Sequence, residues 1–206
     1  MGEQKSFDWK VIFWVPNVID YFRFVLLYVG FVGYLEDGNG LEFSKYYIAS
    51  YGLDAVDGIV ARRLNQCSKL GIYLDMIADR ISSSLMLHIV AQKIMQEYPT
   101  MAYVLYFILV SVEVVSHGVV MIQSELGGFH QKEMESQSWI VKMYLGNKPV
   151  LFGTCAAFEL AMIAVLAELP AWVFAVCLPG FLFRCVANLR RLLDVTILRP
   201  SREKLN

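Results

Sequence analysis

Residues 53–80 read LDAVDGIVARRLNQCSKLGIYLDMIADR and set four carboxylates, in two pairs, among apolar neighbours. Asp54 and Asp57 are three apart and share one helical face, while Asp75 and Asp79 are four apart and share another. Between the pairs, ARRLNQCSKLG has the polar, basic composition of a turn between two helices. Four like charges gathered in a partly dry site repel, so they must hold protons or share cations. Ligands that are all oxygen favour a hard cation, Mg²⁺ or Mn²⁺, over zinc. Gly58 and Ala61 lie on the helical face of Asp57 and remove bulk beside it, so a ligand can approach closely. Arg62, one turn after Gly58, offers a fork of donors suited to phosphate. Acids, a hard metal, small residues and Arg together point to a metal-clamped diphosphate.

The rest of the chain says where such a site would lie. Of 206 residues 57% are hydrophobic and only 18% charged, and the mean hydropathy is +0.49, too apolar for an ordinary soluble domain. The expectation is one membrane-embedded domain over residues 1–206, all-α and polytopic. A net charge of -1 gives no sign of nucleic-acid binding. Cys67, Cys155, Cys177 and Cys185 are scattered without zinc-ligand spacing and read as small packing residues. The first ten residues, MGEQKSFDWK, do not read as a cleaved signal peptide. They do fit a loose myristoylation pattern through Gly2 and Ser6, and Phe7 and Trp9 suit an interfacial segment.

Six apolar stretches have bilayer-crossing length: 11–35, 43–64, 70–96, 103–123, 150–166 and 172–193. Pro16-Asn17 interrupts the first early, and Asn17 suits either a helix cap or a ligand contact. Asp20 and Arg23 in the same stretch admit two readings, a local ion pair near the membrane surface and a ligand role. EDGNG at 36–40 is a turn. The polar stretch 124–147 reads as a surface loop with partial helix. His88, alone in the third stretch, reads as a satisfied buried histidine.

Threading six spans puts Lys5, Lys10, Arg62, Arg63, Lys69, Lys132, Lys142, Lys148, Arg190, Arg191, Arg199, Arg202 and Lys204 on one side, and little beyond Lys45 on the other. Positive charge marks the cytosolic side, so both termini and the aspartates are expected there. A cation carrier would need acids spread through the membrane depth, whereas these cluster at the ends of two consecutive helices.

The full pattern Asp54-x2-Asp57-Gly58-x2-Ala61-Arg62-x8-Gly71-x3-Asp75-x3-Asp79 resembles the signature of the CDP-alcohol phosphotransferases, with every position filled. The resemblance implies six transmembrane helices, a homodimer, and one or two Mg²⁺ or Mn²⁺ ions on the four aspartates at the cytosolic surface, with Asp79 as general base. It also implies that Gly58, Ala61, Arg62 and Gly71 lie along the CDP moiety. The stretches VPNVIDYFR, SVEVVSH and NKPVLFGTCAAFELA resemble the phosphatidylinositol synthase branch of that family. That branch implies transfer from CDP-diacylglycerol to myo-inositol at the endoplasmic reticulum. Glu113 stands where the branch has Asp, and Lys148 where it has Arg. Glycerol 3-phosphate or serine is the acceptor in the rival reading within the family. Lys148, His117, Glu113 and His130 are candidates for inositol. The plainer reading of Glu113 and His117 is an intrahelical pair, and that of His130 a solvated loop residue.

Overall fold

The turn within the quoted stretch closes as its residues dictate. In a computed structural model that describes residues 9–127 and 138–197, α2 (Gly40–Arg63) ends at Leu64 and α3 (Lys69–Met95) follows. Asn65 takes a left-handed φ of 53°, a conformation asparagine tolerates better than most residues. The N–H of Gln66 then donates back to the carbonyl of Ala61 at 2.8 Å, a Schellman closure of the helix end. Ser68 opens α3 by accepting the Gly71 N–H on its Oγ at 2.9 Å. The Gln66 side chain accepts the Val15 N–H at 3.0 Å, tying this turn to the start of α1 (Val15–Asp37).

Among the described residues the elements are helical throughout. A short 3₁₀ turn, Trp9–Phe13, precedes α1, which starts at Val15 with Pro16 in its first turn, where a missing N–H costs nothing. Gly38, with φ 66°, ends α1, and Asn39 caps α2 by accepting the Glu42 N–H. After α3 come α4 (Pro99–Gly127), α5 (Trp139–Gly146), α6 (Lys148–Leu166) and α7 (Ala171–Ile197). The partial helix expected in the polar stretch 124–147 is α5, together with a longer end to α4.

All six expected spans are helices, but only α1, α4, α6 and α7 contain segments long and apolar enough to cross a membrane by length and composition. Helices α2 and α3 have the length and fall short on polarity, because they carry the aspartates. The distribution of side chains on α1 is inside-out for water. Asn17, Asp20 and Arg23 are buried while Val18, Phe22, Val25 and Tyr28 face outward.

Two compact units emerge, Met1–Leu85 and Met86–Asn206, with the boundary inside α3. In the first, α1 packs along α2. Phe43 lies between Tyr34 and Tyr47, and a Cβ on Gly30 would fall 2.7 Å from that of Tyr46. In the second, α7 packs on α4, α5 and α6. The Phe158 and Phe181 rings stack at 5.1 Å there, and His88 meets the Tyr106 ring edge-on.

Candidate functional site: an acid cluster around Arg23

The two aspartate pairs converge. Asp54 and Asp57 from α2 and Asp75 and Asp79 from α3 all meet the guanidinium of Arg23 on α1, which is 1% exposed. Nη1 lies 3.1 Å from Asp20, 3.3 Å from Asp57 and 3.1 Å from Asp75. Nη2 lies 2.6 Å from Asp54 and 2.8 Å from Asp79. The Asp54 contact is close but outside hydrogen-bond alignment, so its Oδ1 is buried without a hydrogen bond. Arg80 adds a longer contact to Asp79, 3.7 Å.

The five carboxylates sort into two triads, Asp20 with Asp57 and Asp75, and Asp54 with Asp75 and Asp79. In each, one ligand atom per residue lies within 4.8 Å of the others. Asp75 belongs to both. Five carboxylates face Arg23 and Arg80, so with every acid ionised the negative charges outnumber these two cations by three (five against two). Oxygen donors at this spacing, short of positive charge, fit a hard divalent cation in either triad.

The residues expected along a nucleotide lie beside these acids. A Cβ on Gly58 would meet the Arg62 guanidinium at 3.4 Å, so the exposed Arg62 folds back over Gly58. Ala61 lies in the same last turn of α2. A Cβ on Gly71 would come within 2.8 Å of Asn17 Oδ1 and 3.3 Å of Ser68 Oγ. The missing side chain of Gly71 therefore makes room for Asn17. Asn17 is fully buried, donates through Nδ2 to the Val11 carbonyl, and has no hydrogen-bond partner on Oδ1.

The second unit holds another buried ionic group. Arg184 on α7 meets Glu113 on α4 at 3.2 Å and Glu159 on α6 at 3.3 Å, and its guanidinium lies 4.1 Å from the centre of the Phe158 ring. Asn188 donates to Glu113 at 3.0 Å. Of the residues considered for inositol, Glu113 is thus engaged by Arg184 and Asn188. His117 Nδ1 lies 2.8 Å from the Glu113 carbonyl and 3.9 Å from its carboxylate, as the plainer intrahelical reading has it. Lys148 is exposed at the first turn of α6, and His130 and Gly2 lie outside the described residues.

Reading the sequence placed the four motif aspartates together but left Asp20 and Arg23 undecided and did not single out Glu159, Arg184 or Asn188. The usable signal in each case was an ionisable or polar residue isolated in an apolar helix.

Residues 13–183 match the profile of the family described as CDP-alcohol phosphatidyltransferase. The chain is 33% identical over 159 residues to CDP-diacylglycerol–inositol 3-phosphatidyltransferase 1 of Arabidopsis thaliana, covering 76% of this chain and 66% of that one. It is 34% identical over 155 residues to the Homo sapiens CDP-diacylglycerol–inositol 3-phosphatidyltransferase, covering 74% and 70%. The Saccharomyces cerevisiae protein of that name is 29% identical over 206 residues, covering 95% and 90%. No solved structure matches.

Proposed function

Because this chain belongs to the CDP-alcohol phosphatidyltransferase family, we propose that it transfers the phosphatidyl group of CDP-diacylglycerol to myo-inositol, giving phosphatidylinositol and CMP. The observation that carries the reading is the convergence of all four motif aspartates on one point. The relatives' names supply the acceptor.

Asp54, Asp57, Asp75 and Asp79 are the groups that would hold Mg²⁺ or Mn²⁺. When bound, such ions neutralise the diphosphate and stabilise charge on the departing CMP. Asp79 accepts the proton of the attacking inositol hydroxyl. The inositol oxygen bonds to the phosphorus that carries diacylglycerol, and the bond from that phosphorus to the CMP oxygen breaks. Arg62, exposed beside Gly58, binds phosphate, and Asn17 offers its unused Oδ1 to a donor on the nucleotide. Lys148 and His117 are the side chains proposed for inositol, with Glu113 acting through Arg184 and Asn188.

A substrate with two acyl chains and a soluble headgroup is best served at a membrane surface. All six long helices are read as spans, α2 and α3 hiding their acids against α1. The basic residues favour a cytosolic site and cytosolic termini, in the endoplasmic reticulum. The family resemblance supports a homodimer.

The test uses purified full-length protein with CDP-diacylglycerol and labelled inositol, serine or glycerol 3-phosphate. Inositol-dependent CMP release that needs Mn²⁺ or Mg²⁺ is expected, and release with serine or glycerol 3-phosphate alone would reassign the acceptor. Asp79→Asn should lower turnover by about 10²–10⁴-fold while CDP-diacylglycerol still binds in the presence of metal. Robust turnover in that variant would remove Asp79 as the base.

A further inference from the structure

The Arg23 guanidinium does more than neutralise one neighbour. Its two terminal nitrogens divide between the two acid triads. Nη1 is lodged among Asp20, Asp57 and Asp75, and Nη2 against Asp54 and Asp79. Each nitrogen carries part of a delocalised positive charge and sits at hydrogen-bonding distance from carboxylates of the triad that a hard cation would also use. Asp20 and Asp57 are buried and Asp54, Asp75 and Asp79 part-exposed, and five acids this close repel one another without a cation among them. Arg23 therefore supplies what the first unit needs to fold before any ion arrives. It also occupies, with one planar group, the ground that two ions would contest.

We propose that Arg23 is the resident counter-cation of the acid cluster. It holds α1, α2 and α3 together at this point, and it competes with divalent ions for Asp54, Asp57, Asp75 and Asp79. Asp20 keeps the guanidinium nearby when it yields. The two residues are three apart on α1 and 3.1 Å apart in space, so that contact survives any change in the partners on α2 and α3. Arg23 is thus a positioning residue that sets metal affinity, and Asp20 is its anchor. The inference rests on the metal reading of the site given above.

The competition predicts effects of opposite sign from one substitution. Arg23→Met keeps length and apolar bulk and removes the charge. In this variant Mn²⁺ should bind about tenfold more tightly than in the wild type, because a like charge has left the site. In EDTA the same variant should melt about 5 °C or more below the wild type. Saturating Mn²⁺ should close most of that gap. Arg23→Lys keeps the charge on a single nitrogen that can serve only one triad, so both its Mn²⁺ affinity and its melting temperature in EDTA should fall between the other two.

The measurements are Mn²⁺ titration by electron paramagnetic resonance and thermal unfolding of the full chain in detergent, neither of which depends on turnover. Unchanged or weaker Mn²⁺ binding in Arg23→Met, with equal loss of stability with and without Mn²⁺, would make Arg23 an ordinary structural ion pair and overturn the proposal. If Arg23→Met cannot be purified, the Lys variant decides on the same two readouts. A wild-type chain that binds no Mn²⁺ would overturn the metal reading itself, and this inference with it.

Discussion

Two buried arginines, one in each unit, sit in opposite electrical situations. Arg23 faces five carboxylates, and Arg80 adds a longer contact at the edge. Arg184 faces two, Glu113 and Glu159, and also lies over the Phe158 ring, with His117 3.9 Å from Glu113. The second group is nearly self-sufficient: its single excess charge is spread over hydrogen bonds from Asn188 and Arg184. The first, with every acid ionised, sets five carboxylates against two arginines. Crowded carboxylates that outnumber their own cations must take up protons or further cations. By that measure the first unit is the one that would take ions, as proposed above, and the second holds α4, α6 and α7 together through Arg184.

The sharpest way to break the comparison is to remove the cation from the balanced side. Arg184→Met should lose about 3–5 kcal/mol, since two buried carboxylates are left uncompensated. Mn²⁺ should not restore this loss, whereas it should largely restore Arg23→Met. Adding Glu113→Gln and Glu159→Gln to Arg184→Met should recover most of the stability, because a neutral group of similar volume replaces the triad. Thermal unfolding in detergent, with and without Mn²⁺, reads all of these. If Mn²⁺ rescues Arg184→Met, the two clusters are not different in kind.

A smaller effect separates charge from packing in the second unit. A Cβ on Gly180 of α7 would lie 2.6 Å from that of Ala157 on α6, closer than two carbons can approach, and both helices would have to part. Gly180→Ala should cost about 1–3 kcal/mol by overpacking. The double variant Gly180→Ala with Ala157→Gly should return much of it by restoring the lost space. Failure of that swap would mean that α7 needs Gly180 for its backbone, next to Pro179, rather than for its closeness to α6.

These contrasts also explain which parts of the molecule could be read in advance. The motif aspartates were legible because helical spacing fixes faces, and because the polar, basic run between the pairs marks a turn. Arg23 was not resolved by the same reasoning. Its partners lie up to 56 residues away in the chain, and no periodicity connects side chains on three different helices. Glu113, Glu159 and Arg184 pose the same problem in a purer form, as single charges in separate apolar helices whose meeting only the packing reveals. The six apolar stretches were recognised as helices. Helices α2 and α3 fall below the hydropathy of a lone span because the acids that make the site also make them polar.

The smallest prediction concerns α1 itself. A Cβ on Gly30 would meet Tyr46 Cβ at 2.7 Å, while one on Gly33 would meet nothing within 4 Å. Gly30→Ala should therefore loosen the contact of α1 with α2 that brings Arg23 to the aspartates. Gly33→Ala should be neutral, or gain up to about 1 kcal/mol from the better helix propensity of alanine. Unfolding of the two variants side by side checks this. A Gly33→Ala chain as weakened as Gly30→Ala would mean that a further surface covers α1 at this level. The homodimer proposed for this family would be the first partner to test, by cross-linking at that helix.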